Sequence, residues 1–175
     1  MASGLSTRLT GQVGEFLVCA ELGRRGILAT PFAGNVPGFD VIATGGRLKT
    51  VPIQVKASNG TSWVTSLDGW LDIEFDNRRK KHVFRGKRRL ENLDLIYVYV
   101  ALNRDRGDRF YVLTQWRVRE IIFKAYKRIM EPQDFRRPNR PESMRWAIHQ
   151  REMVGYEDNW GLITDRCSGK KGQKR

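Results

Sequence analysis

The sequence predicts an α/β fold. Three observations predict it: an amphipathic helical pattern at the amino end, a succession of short apolar runs separated by turn residues, and a second amphipathic pattern after the last of those runs. Ser6 or Thr7 can cap the first helix, which runs to about residue 23. Leu9, Val13, Phe16, Leu17 and Ala20 recur along it at three- and four-residue steps, and Gly23 or Gly26 ends it. Strand signals follow at 27–32, 39–44 and 48–58, separated by GNVPG and by a turn around Gly45 and Gly46. The runs 62–67 and 71–75 read as a further pair of strands joined by DGW, and two more strands at 93–102 and 109–114 flank the polar loop NRDRGD. The second helix, about 116–131, turns Val118, Ile121, Ile122, Ala125 and Ile129 inward, with Arg117, Arg119, Lys124, Lys127 and Arg128 mostly outward. Pro132, Pro138 and Pro141 then read as a linker. A short helix from about 143 to 153 leads into YEDNWGLI, where Trp146, Tyr156 and Trp160 read as core anchors.

Composition narrows the function classes. A chain of 175 residues with 40% hydrophobic content and no internal repeat suits one domain, placed at 1–165, with a basic insertion at about 76–92 and a basic tail at 166–175. Thirty-two Lys and Arg against nineteen Asp and Glu leave a formal charge of +13, which suits a polyanionic partner, DNA foremost. The longest apolar run, LDLIYVYVAL, is about half of the ~20 residues that a spanning helix needs, so no membrane partner is expected. The amino end carries no basic start followed by an apolar stretch, and a cytoplasmic location is the expectation. Cys19 and Cys167 read as two free thiols, and His82 and His149 as isolated surface or partly buried imidazoles. No Cys/His spacing fits zinc, no small-molecule cofactor is expected, and the sequence leaves room for a homo-oligomer.

The chemistry concentrates in 39–58. Alternation puts Val51, Ile53 and Val55 in one row and Gln54 and Lys56 in the other. Burying Phe39, Val41 and Ala43 with the first row sends Asp40 to the side of Gln54 and Lys56. A turn centred near Arg47 sets Asp40 directly opposite Gln54, whereas a tight turn between Gly45 and Gly46 gives the wrong parity, so a wide loop is predicted. Pro52, which has no N–H to donate, predicts a bulge or an exposed edge. Asp, Gln and Lys on one polar face suit phosphodiester hydrolysis. The Asp40 carboxylate, the Gln54 amide oxygen and the Val55 carbonyl are hard oxygen ligands for Mg²⁺ (or Mn²⁺), while Lys56 can hold the attacking water or stabilise charge on the phosphorane. Glu15, at the margin of the first helix's apolar stripe, is the fourth member, able to reach a metal from above the sheet. Gly11 and Gly14 leave room for close approach of a strand or a phosphate backbone.

The runs GQVGEFLVCAELGRRG, GFD and IQVKAS resemble the PD-(D/E)xK nuclease superfamily, in the variant with Gln at the middle position found in Mrr-type restriction enzymes and some homing endonucleases. The resemblance spans about residues 10–58. It implies a restriction-endonuclease-like core with a central mixed β-sheet flanked by helices, Mg²⁺-dependent cleavage of duplex or branched DNA, and a site made of Glu15, Asp40, Gln54 and Lys56. Gln54 stands where most members carry a second acidic ligand, which implies weaker metal affinity. Pro37 lies three residues ahead of Asp40, displaced from the motif's usual proline. The alternative is a non-catalytic nucleic-acid-binding protein that keeps the nuclease fold.

Residues 78–89 hold eight Lys or Arg in twelve positions: Arg78, Arg79, Lys80, Lys81, Arg85, Lys87, Arg88 and Arg89. Single-signed charge with His82 and Phe84 interleaved suits a loop lying along a phosphate backbone, where such contacts position a duplex without reading its bases.

Overall fold

The computed structural model describes residues 6–32, 38–103 and 105–169, without the side chain of Arg47. Most of the expected turn before Asp40, Pro37 included, and the tail beyond Gly169 lie outside the described residues. The chain divides into two compact units, Met1–Trp63 with Asp94–Thr114 and His149–Arg175 forming the first, and Val64–Leu93 with Gln115–Ile148 the second. No helix among the described residues is long and apolar enough to cross a membrane.

The first unit is a mixed five-stranded sheet flanked by helices. It opens with α1 (Thr7–Arg24), capped by the Ser6 hydroxyl, which accepts the Leu9 N–H at 3.3 Å. The strands are β1 (Leu28–Pro31), β2 (Val41–Thr44), β3 (Thr50–Ser58), β7 (Ile96–Ala101) and β8 (Arg109–Thr114), adjacent in that order. β3 pairs antiparallel with β2 and parallel with β7, and the other pairings are antiparallel. A closing helix, α3 (Gly161–Ser168), brings Ile163 and Cys167 into the same core as Val18 and Leu22 of α1 and Val41, Ile53, Val55, Val98 and Val112 of the sheet. Cys167 is therefore core and not tail; it and Cys19 are free thiols.

The buried face of α1 differs from the one its apolar pattern predicts. Thr10, Gly14, Val18 and Leu22 are buried, while Leu9 and Phe16 are 43% and 60% exposed. The reason is backbone approach: with no side chain, Gly14 lets the helix settle against β3 at Ala57, closer than a bulkier inner row permits.

Pro52 produces no bulge. It pairs in register with Ile42, and β3 is an interior strand. Ile53 turns its carbonyl toward β2, where it accepts the Asp40 N–H at 2.9 Å, so Pro52 turns its nitrogen the other way, and pairing with β7 begins only at Ile53. The missing donor thus falls on the side of β3 where no ladder has yet started.

The second unit contains β5 (Leu71–Asp76) paired with β6 (Lys81–Lys87), and α2 (Gln115–Met130). The runs at 62–67 and 71–75 are not partners of each other: β4 (Ser62–Ser66) pairs with β9 (Arg145–His149) instead. β9 replaces the short helix expected at 143–153, because Trp146 and Ile148 alternate inward with period two. Ile129 of α2 is 43% exposed, and Met130 and Tyr126 fill the inner face. The Pro-rich stretch is packed structure, since Phe135 stacks in the unit's aromatic core with Phe84, Tyr126 and, through Tyr126, Trp146.

Candidate functional site

Register delivers Asp40 to Gln54. The pairs Val41 with Ile53, Ile42 with Pro52, Ala43 with Val51 and Thr44 with Thr50 centre the turn on residue 47, which a short 3₁₀ turn at Gly46–Leu48 makes wide enough. One step beyond Val41, regular pairing stops, and the Asp40 side chain takes over the work of a strand. Its Oδ2 accepts the Val55 N–H at 2.7 Å and a hydrogen bond from the Gln54 side-chain amide. A carboxylate in the slot of a ladder carbonyl makes a charge-assisted bond and ties the end of β2 to the middle of β3. Val55 turns its N–H and C=O toward the same neighbour, so its carbonyl also faces the Asp40 edge. Lys56 lies next to Gln54 in the exposed row, opposite Tyr99 of β7, as Gln54 lies opposite Tyr97.

Glu15 approaches from α1. Its carboxyl is held above its ordinary 4.5, first by partial burial and then by the Asp40 charge, with Lys56 pulling the other way. A carboxylate that feels both Asp40 and Lys56 shares their electrostatic neighbourhood. Cys19, one turn along the helix, is pushed up by burial and by Glu15. Asp40, Gln54 and Lys56 thus meet the Val55 backbone at one edge of β3, and Glu15 on α1 lies close enough to feel the Asp40 and Lys56 charges.

The donor set consists of two carboxylates, one amide oxygen and one carbonyl. These are hard oxygen ligands of the kind Mg²⁺ or Mn²⁺ takes, completed in such sites by water and substrate phosphate. Among the described residues no group of three or more His, Cys, Asp or Glu side chains gathers as a metal cage.

Two features escaped the sequence. Tyr97 and Tyr99 stack on β7 with ring centres 6.1 Å apart, and Trp63 meets the Tyr99 ring edge-on at 5.2 Å while its indole N–H donates to the Val100 carbonyl at 3.2 Å. This buried aromatic layer backs the Gln54 and Lys56 row; the Tyr-Val-Tyr alternation of 97–99 is the signal that could have found it. Past the carboxyl end of β3 opens a cleft of about 1080 Å³, lined by Val13, Asn59, Leu102, Asp105, Arg106 and Asp108 among others.

The basic run lies in the second unit, and strand geometry divides it. β6 buries His82 and packs the half-buried Phe84 against Phe123, Tyr126 and Phe135, so both rings are engaged within the unit rather than strung along a loop. His82 is 1% exposed, its Nδ1 sits 2.8 Å from the Tyr126 hydroxyl, and burial followed by the Arg137 charge lowers its pKa below the usual 6.5. Lys81 pairs with Asp134 at 2.9 Å, Arg85 with Asp72 and Glu74, and Lys87 with Glu120 at 2.7 Å. Arg88 donates to the Asp68 carbonyl at 2.6 Å. Arg78, Arg79 and Lys80 occupy the exposed turn between β5 and β6, where Asp76 caps the Arg78 and Arg79 N–H groups and pairs with the Arg79 guanidinium at 3.8 Å, and Arg89 is exposed beyond β6.

No protein-family model and no curated protein matches the chain. A solved structure does. It is that of a bacterial homing endonuclease, I-Ssp6803I, 15% identical, with a TM-score of 0.48 over 98% of this chain and 99% of that one. At that score the similarity is one of chain trace, and the site stands on its own side chains.

Proposed function

We propose that the chain is a metal-dependent DNA endonuclease of the PD-(D/E)xK type, hydrolysing phosphodiester bonds with Mg²⁺ or Mn²⁺. The observation that carries this reading is the Asp40 carboxylate gripped by the Gln54 amide and the Val55 N–H, with Lys56 next in the row. In this reading Asp40, Gln54, the Val55 carbonyl and Glu15 hold the metal, which supplies Lewis acidity at the scissile phosphate. Lys56 orients the attacking water and offsets charge on the phosphorane. The net charge of +13 and the exposed Arg78, Arg79, Lys80 and Arg89 support a DNA partner, and the homing endonuclease trace agrees with it.

One observation favours a second reading. The Gln54 amide donates its N–H to Asp40, an arrangement that also serves a purely structural bond in a non-catalytic DNA-binding protein. Incubating the protein with supercoiled plasmid, linear duplex and a four-way junction, each with Mg²⁺, Mn²⁺ or EDTA, separates the two. Metal-dependent cuts that vanish in Lys56→Ala while DNA affinity holds within a few-fold are the expected result. Binding to all three substrates with no cut under either metal selects the second reading.

A further inference from the structure

Gly14 meets β3 through bare backbone. A Cβ built on it would stand 2.5 Å from the Ala57 Cβ, with Val55 Cγ1 at 3.5 Å and the Ala57 Cα at 3.7 Å, whereas one built on Gly11 would meet nothing within 4 Å. The two β3 residues it touches flank Lys56, and Gly14 itself precedes Glu15. This one contact therefore joins the peptide carrying Glu15 to the peptide carrying Lys56. β3 is hydrogen-bonded on both sides at its centre, so the helix is the partner that yields when the contact is crowded.

We propose that Gly14 is a positioning residue of the nuclease site: the missing side chain at 14, set against the single methyl of Ala57, fixes the spacing of α1 and β3. That spacing determines where the Glu15 carboxylate stands relative to Asp40 and Lys56. The inference rests on the endonuclease reading above. Relieving a 2.5 Å contact to ordinary packing distance lifts the helix by about 1 Å, and misplacements of about 1 Å cost on the order of 10²-fold in rate. Thr10, Val18 and Leu22 keep α1 in the core, so the fold survives while the carboxylate moves.

The test moves one methyl group across the interface. Gly14→Ala is expected to lose roughly 10- to 10²-fold in cleavage rate. Its Mn²⁺ affinity, measured by calorimetry without DNA, is expected to weaken as well, an effect that loss of stability alone does not produce. Ala57→Gly removes the opposing methyl. The double variant Gly14→Ala/Ala57→Gly leaves the new Cβ only the contacts at 3.5 and 3.7 Å, and is expected to regain both Mn²⁺ affinity and rate. Circular dichroism and thermal unfolding establish which variants are folded. A wild type that cleaves nothing overturns the nuclease reading and the inference with it. With a cleaving wild type, unchanged Mn²⁺ affinity and rate in folded Gly14→Ala overturn the inference alone. So does a folded double variant that regains neither, whether or not the single variant folds.

Discussion

The edge of β3 and the β5–β6 hairpin both concentrate ionisable groups, and they treat them in opposite ways. On the hairpin, Lys81, Arg85 and Lys87 are matched by Asp134, by Asp72 and Glu74, and by Glu120. At the edge of β3, Glu15, Asp40 and Lys56 make no ion pair with one another or with any other described residue, and the bonds to Asp40 come from neutral donors. The denser charge is thus the quieter one. Ion pairs on an exposed hairpin hold geometry for little energy, typically 0–1 kcal/mol each. Charges kept apart from counter-charges keep their capacity to bind a cation or a phosphate.

The sharpest way to break this contrast is Asp40→Ala, which removes the carboxylate proposed to hold the metal beside β3. Metal-dependent cleavage is expected to fall by at least about 10²- to 10³-fold, with far-UV circular dichroism unchanged. Cleavage at the wild-type rate would mean that the site lies elsewhere.

Next in size is a pair of triple variants on and just beyond the hairpin. Replacing Arg78, Lys80 and Arg89 by Ala is expected to flatten the slope of log K against log salt by about two to three units, since each phosphate contact contributes about 0.9. Replacing Lys81, Arg85 and Lys87, which are already paired within the protein, is expected to change the slope much less. Fluorescence anisotropy from low to moderate salt reads both, and equal changes would erase the distinction between free and matched cations.

A smaller effect is expected from Gln54→Glu. The added charge tightens Mn²⁺ binding by roughly tenfold if Gln54 is a ligand, as followed by calorimetry, and an unchanged titration would leave Gln54 outside the coordination sphere.

The smallest effect is on stability. Because partial burial and Asp40 raise the Glu15 pKa, the charged form opposes folding in the absence of metal. Stability tied to this group is present below its ordinary 4.5 and is lost as pH rises through the raised value. Glu15→Gln is therefore expected to raise the metal-free Tm at neutral pH by on the order of a degree or two, with the advantage fading in acid. A Tm gain that is the same at both pH values would detach Glu15 from the site's electrostatics.

The strand half of the site was legible in the sequence for a definite reason. Side chains alternate with period two, so burying Val41, Ala43, Val51, Ile53 and Val55 together leaves a single parity for the turn, and that parity brings Asp40 to Gln54. The helix half was only partly legible. Apolar residues at 9, 13, 16, 17 and 20 outweigh Thr10 and Gly14 in any periodicity argument, yet proximity at Gly14 decides which face is buried. The hairpin was least legible, because the partners that neutralise Lys81 and Lys87 lie 53 and 33 residues away in the chain. A charge run shows its own sign and conceals its counterions.

The bond from the Val55 N–H to the Asp40 carboxylate has a consequence for time as well as geometry. An amide in the middle of a sheet ordinarily waits for strands to part before its proton can exchange with solvent. Val55 waits only for one side chain to rotate. Deuterium is therefore expected to enter here by local openings, well before it reaches the paired amides of β7. Whatever holds Asp40 in place, a bound cation included, will be recorded as a slower clock at this single proton.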